Sequence, residues 1–175
     1  MFVGRLSVEK GVEDMLAAWE RLGDRAPLKI VGDGPLADVV ARAARRLKNV
    51  EWLGRQPRKQ VLALMKEAEM LLFPSVCYEN FPLVVAEAFA VGLPIIASDL
   101  GSLASLVDPG RTGLLFRPGD PEDLADKVQR ALDHPAKLAN MSQEARSEFE
   151  NKYTAERNYE RLLDIYESAT ERAGS

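Results

Sequence analysis

The sequence predicts an α/β fold: a doubly wound, mostly parallel sheet with helices on both faces and a helical C-terminal segment. Three observations carry the prediction. Apolar runs of strand length alternate with segments of helical period. The connections between them are short, which in alternating order means parallel strands covered on both sides. From Pro121 onward the pattern is helical throughout. The 175 residues are 46% hydrophobic and 29% charged, a size and composition suited to one soluble domain with its own core.

Phe2 and Val3 open the first strand, followed by Gly4, Arg5, Leu6 and then Glu9-Lys10-Gly11 at the head of a helix carrying Val12, Met15, Leu16 and Trp19. This order places Arg5 and Lys10 at the carboxyl edge of the sheet, where open α/β sheets bind ligands. The helix ends near Gly23. Leu28, Ile30 and Val31 form a second strand closed by Gly32-Asp33-Gly34-Pro35, so a second loop reaches the same edge. Leu36, Val39, Val40 and Ala43 give the next helix, and Val50, Trp52 and Leu53 a third strand ending at Gly54. Val61, Leu62, Leu64 and Met65 mark a helix before the strand Met70 to Phe73. Pro94 to Ala97 form a buried strand running into Ser98, and Gly113 to Phe116 form the last. Helical patterns follow over Leu124 to Leu132, Leu138 to Phe149, and Tyr159 to Tyr166. The last carries an apolar stripe at i, i+3, i+4, i+7, consistent with docking on its own sheet.

A formal net charge of −4 argues against a nucleic-acid-binding chain, which needs a large cationic surface. Arg42, Arg45, Arg46 and Lys48 read as a solvated helix face rather than a membrane patch. Cys77 is the single cysteine, so no intramolecular disulfide forms and a reducing, cytoplasmic compartment is expected. His134 is the single histidine, set far from Cys77. A bland loop cysteine is therefore expected, and a histidine-rich metal site and a Ser-His-Asp triad are excluded. No apolar run approaches the ~20 residues of a membrane span. Met1 leads straight into a strand, which is read as leaving no signal peptide and as a chain beginning in mid-architecture.

The stretch from Phe73 to Glu87, FPSVCYENFPLVVAE, holds the chemistry. The strand stops at Pro74, and Pro82 fits the first turn of a helix that begins with unpartnered backbone donors at Leu83 and Val84. Such a helix start attracts a phosphate. Glu79 lies in the loop before it and Glu87 inside the helix, which suggests a ligand with phosphates and hydroxyls together.

Glu79 and Glu87, with Phe81 and the small-residue helix between them, resemble the Glu-x7-Glu motif of retaining GT-B glycosyltransferases of group 1, also called glycosyltransferase family 4. GRLSVEKG around Arg5 and Lys10 and the VGDGP around Gly32 to Pro35 resemble two further motifs of the family, in the same order. The chain resembles the C-terminal, donor-binding half, the Rossmann-like half of a GT-B fold. Residues 1–175 are thus expected to form a nucleotide-sugar binding domain, with an N-terminal acceptor domain and its catalytic histidine lying outside this chain.

The resemblance implies that Arg5 and Lys10 neutralise the donor diphosphate, where charge grows as the sugar leaves. It implies that Glu87 accepts hydrogen bonds from the ribose diol, a task suited to a carboxylate. Glu79 would contact the sugar without acting as nucleophile, because a donor phosphate oxygen assists the acceptor on the front face. Arg5, Lys10 and Glu79 are the implied catalytic residues. The implied donor-binding set is Gly4, Arg5, Lys10, Gly32, Asp33, Gly34, Glu79, Asn80, Phe81, Pro82, Leu83, Val84 and Glu87. No cofactor is implied and no Asp-x-Asp metal motif is present, so side-chain cations and a helix end would replace a divalent ion. The expected partners are the nucleotide-sugar donor and the acceptor domain, with peripheral membrane contact only through the latter.

Two departures from the family pattern stand out. Asn80-Pro82 replaces two glycines flanking Phe81, and Asn tolerates the left-handed conformation a glycine would supply. Gly101-Ser102-Leu103-Ala104-Ser105 lacks an acidic residue the family usually carries. The resemblance also offers the last helix a second role, crossing to the acceptor domain. Non-hydrolysing nucleotide-sugar epimerases share the two-domain architecture, but the Glu-x7-Glu loop favours a transferase. A non-catalytic nucleotide-binding module is the remaining alternative.

Overall fold

A computed structural model describes residues 1–78 and 81–173, with side chains at all of these except 102 and 167–173. Among the described residues six parallel strands form one sheet in the order β3-β2-β1-β4-β5-β6. The strands are β1 (Phe2–Val3), β2 (Leu28–Val31), β3 (Val50–Trp52), β4 (Leu71–Phe73), β5 (Ile95–Ser98) and β6 (Gly113–Phe116). Phe2 pairs in register with Ile30 on one side and Leu72 on the other. The chain therefore winds outward from β1 through β2 and β3, then returns to start β4 on the opposite side. The crevice between β1 and β4 is the topological switch point, where loops diverge to opposite faces.

The helices are α1 (Val12–Leu22), α2 (Ala37–Arg46), α3 (Arg58–Glu67), α4 (Leu83–Ala90), α5 (Ser102–Leu106), α6 (Pro121–Leu132), α7 (Pro135–Lys152) and α8 (Ala155–Ala173). Strand alternation assigns side chains to two cores. Leu72 and Ile96 join Met15, Trp19, Leu124 and Val128 on one face, while Leu71, Phe73, Ile95 and Ala97 join Met65, Val85, Phe89 and Ala145 on the other. Burial of both faces explains the continuous apolar runs. Each fully buried large apolar side chain stabilises the fold by roughly 1.5–3 kcal/mol. The start of α6 is fixed locally: Asp120 accepts from the amides of Glu122 at 3.1 Å and Asp123 at 2.9 Å, with Pro121 at the first helical position.

Two local expectations need correction, and one element goes beyond them. Pro82 precedes α4 rather than sitting in its first turn: its backbone is extended (φ −76°, ψ 112°) and its carbonyl accepts from the Val85 amide at 2.9 Å, as an N-cap residue does. The short helix α5 is an element that the apolar pattern did not suggest, five residues being too few to display a period. Residues 155–166 of α8 are exposed, including Tyr159, Leu162, Leu163, Ile165 and Tyr166, so this stretch does not dock on its own sheet. An amphipathic stripe specifies an apolar partner without naming it.

One ion network pins α7 to the turn before β6. Arg111 donates to Asp108 at 2.6 Å, Glu144 at 3.2 Å and Glu148 at 2.7 Å, and Lys152 pairs with Glu148 at 2.5 Å. Burial alone would raise the Glu148 carboxyl, but hydrogen bonds from Lys152 and Arg111 outweigh it and hold the group below its ordinary 4.5. Its contribution to stability is therefore present above that ordinary value and is lost as pH falls through the depressed folded one. Arg111→Ala should destabilise the chain by about 2 kcal/mol, between the costs of breaking exposed and buried pairs. Thermal melting should show the deficit at neutral pH and a smaller one on acidification as Glu148 protonates.

Candidate functional site

The loops after β1, β2, β3 and β4 meet at the carboxyl edge and are laced together by backbone. Gly4 N–H donates to Val31 O at 3.0 Å, Leu6 N–H to Asp33 O at 3.0 Å and Leu36 N–H to Leu6 O at 2.9 Å, joining the first loop to the Gly32–Pro35 turn. Gly32 N–H donates to Gly54 O at 2.8 Å, adding the third loop. On the other side the Val76 amide and the Ser75 hydroxyl both donate to Glu9 O at 2.9 Å. The site is thus a preformed backbone frame. Gly32 and Gly11 make it close enough to form: a Cβ on Gly32 would lie 1.8 Å from Gly4 O, and one on Gly11, at φ +64°, 1.9 Å from Pro74 O. Gly32 therefore has a demand from within the protein itself, the approach of one loop to another.

A cleft of about 330 Å³ opens between β1 and β4, lined among others by Gly4, Arg5, Lys10, Ser75, Pro82, Leu83, Val84 and Glu87. Seven of the predicted site residues therefore share one cavity. The cation of Lys10 stands 5.6 Å from the centre of the Phe73 ring. The Leu83 and Val84 amides head α4, where no intrahelical carbonyl is available to them. Glu87, one turn further on, is 24% exposed, and its Oε1 accepts from Arg58 Nε at 2.7 Å. An adjoining cavity shares Val3, Gly4 and Arg5 and extends past Gly32 and Asp33 to Arg55 and Gln56. Gln56 Nε2 donates to Leu53 O at 2.6 Å, which secures that wall.

Two predicted residues lie elsewhere. Gly34 lines neither cavity and packs against the Leu6 backbone. Phe81 turns to Tyr153, with ring centres 5.5 Å apart, and Tyr153 also meets Phe89 at 6.3 Å. Phe81 thereby anchors the entry to α4 on the end of α7. Burial and the nearby Glu148 charge raise the Tyr153 hydroxyl above its usual value, so it stays neutral. Glu79 and Asn80 lie outside the described residues. Arg55, Gln56 and Arg58 are absent from the sequence-based set. The signal available was the strand terminator Gly54, which places the following residues at the ligand edge. Cys77 is half-buried and lies 3.7 Å from the Ser75 hydroxyl. Among the described residues no group of His, Cys, Asp and Glu comes together to hold a metal ion, and no helix is long and apolar enough to cross a membrane.

This doubly wound parallel sheet, with Arg5, Lys10 and a helix start at its switch point, has the architecture of the Rossmann-like half of a GT-B fold. Residues 1–148 match the family of glycosyl transferases, group 1, and the chain belongs to that family. A glycogen synthase of Mycobacterium tuberculosis is 38% identical over 152 residues, covering 83% of this chain and 36% of the relative. The D-rhamnosyltransferase WbpZ of Pseudomonas aeruginosa is 32% identical over 159 residues, covering 89% of this chain and 41% of the relative. The chain thus spans less than half the length of these relatives. Among solved structures, Anabaena HepE in complex with UDP superposes with a TM-score of 0.87 at 22% identity, covering 95% of this chain and 48% of that one. The sucrose-phosphate synthase of Thermosynechococcus elongatus does so with 0.84 at 28% identity, covering 99% and 45%.

Proposed function

We propose that this chain is the donor-binding domain of a retaining glycosyltransferase, which moves a sugar from a nucleoside-diphosphate sugar to an acceptor held by a second domain. The observation that carries the reading is the cleft at the switch point, where Arg5 and Lys10 share one cavity with the start of α4 and with Glu87. Arg5, Lys10 and the Leu83 and Val84 amides take the diphosphate. Fixed cations and a helix end stabilise charge developing on a leaving phosphate, so no divalent ion is required of this site. Glu87 takes the ribose hydroxyls. Glu79 takes hydroxyls of the transferred sugar and supports positive charge at its anomeric carbon. The adjoining cavity past Gly32 and Asp33 receives the base end of the nucleotide.

The relatives support the substrate class, two of them being named for sugar transfer or glycogen synthesis and one neighbour being bound to UDP. The acceptor site and the proton-transfer histidine belong to the second domain, and membrane contact arises only through it. The 175-residue chain should therefore bind donor nucleotide yet transfer no measurable sugar to oligosaccharide or sugar-phosphate acceptors. Release of nucleoside diphosphate coupled to acceptor glycosylation by the purified chain would contradict this.

A further inference from the structure

We propose that Arg58 is a positioning residue for Glu87, setting how the cleft grips the ribose of a nucleotide rather than its phosphates. The proposal rests on the donor-site reading above. Two independent observations favour it over surface decoration. Arg58 is 77% exposed and lines neither cavity, yet its Nε donates to Oε1 of Glu87 at 2.7 Å, and Glu87 does line the cleft. Arg58 thus reaches the cleft through the Glu87 carboxylate. Arg58 is also the first residue of α3, whose first turn holds no acidic residue. A cation there opposes the helix dipole, so this placement costs stability rather than adding to it.

The chemistry of the pair fits an orienting role. Glutamate has three rotatable side-chain bonds, and Glu87 rises from a helix whose Val85 and Ala88 are buried in the core. A charge-assisted bond from a planar guanidinium fixes one oxygen with defined geometry. Each carboxylate oxygen carries two acceptor sites, so Oε1 can hold Nε and still, with Oε2, accept a vicinal pair of hydroxyls.

The test is calorimetric titration of the purified chain with UDP, ADP and GDP, followed by the 2′,3′-dideoxy form of the one that binds. Arg58→Ala should weaken the ribonucleotide about fivefold and the dideoxynucleotide less than about twofold, on the scale of an exposed ion pair. Glu87→Ala should abolish the preference for the ribonucleotide, and adding Arg58→Ala to it should change nothing further. Equal weakening of both ligands by Arg58→Ala would make Arg58 a general source of positive potential and overturn the proposal, as would no weakening of either. Absence of binding by the unsubstituted chain would overturn the donor-site reading itself, and this proposal with it.

Discussion

Gly32→Ala should destabilise the chain by about 3 kcal/mol or more and remove nucleotide binding, because overpacking here strikes backbone rather than a flexible side chain. The added Cβ would lie 1.8 Å from Gly4 O and 3.0 Å from Gly4 C. Relief requires moving the β1 loop off the Gly32–Pro35 turn, which breaks the bonds from Gly4 N–H to Val31 O and from Leu6 N–H to Asp33 O. Arg5 lies between those two donors, so displacement of this loop displaces a cation of the cleft. Gly54→Ala is the control. Gly54 has φ +63° but nothing within 4 Å of its Cβ position, so it should cost only about 1 kcal/mol of left-handed strain. Gly32 itself lies at φ +140°, so its variant carries backbone strain as well as the clash. Melting should show a loss well above that of Gly54→Ala, and a loss no larger would show that the contact with Gly4 costs nothing.

Replacing Arg5 and Lys10 together by Ala should weaken nucleoside diphosphates by at least about thirtyfold, about 1–3 kcal/mol being lost for each charge-assisted contact. Both side chains line the cleft that the α4 start also lines. The loss should be similar for different bases and should shrink as salt is raised, since screening weakens exposed charges. Lys10 also rests over Phe73, so its removal takes some cation–π contact from the fold. Equilibrium unfolding of the variant separates that small effect from the loss of ligand.

The fold was legible because this sheet is buried on both faces. Ile95 to Ala97 and Leu71 to Phe73 must then be apolar at every position, and Gly4, Gly32 and Pro74 mark the ends of β1, β2 and β4. The site was legible to the extent that strand-to-helix loops in such a sheet converge on one edge. Glu87, Arg5, Lys10 and the α4 start are brought together as that rule requires. What sequence reasoning could not supply is the pairing across elements distant in the chain. Arg58 meets Glu87 from another helix, Phe81 turns to Tyr153 at the end of α7, and Arg111 gathers acids from α7. None of these leaves a local period or motif. The glycines of Gly32-Asp33-Gly34 show a second limit: a turn motif announces close approach but not what approaches, and the structure shows Gly4 and Leu6 backbone there.

The most direct test of the donor-site account is calorimetric titration of the purified chain with UDP, ADP and GDP, set beside the chain lacking the Arg5 and Lys10 cations. One nucleotide should bind the unsubstituted chain, and the doubly substituted chain, still folded, should lose it. Absence of binding by all three at millimolar concentration, or binding indifferent to the two substitutions, would contradict it.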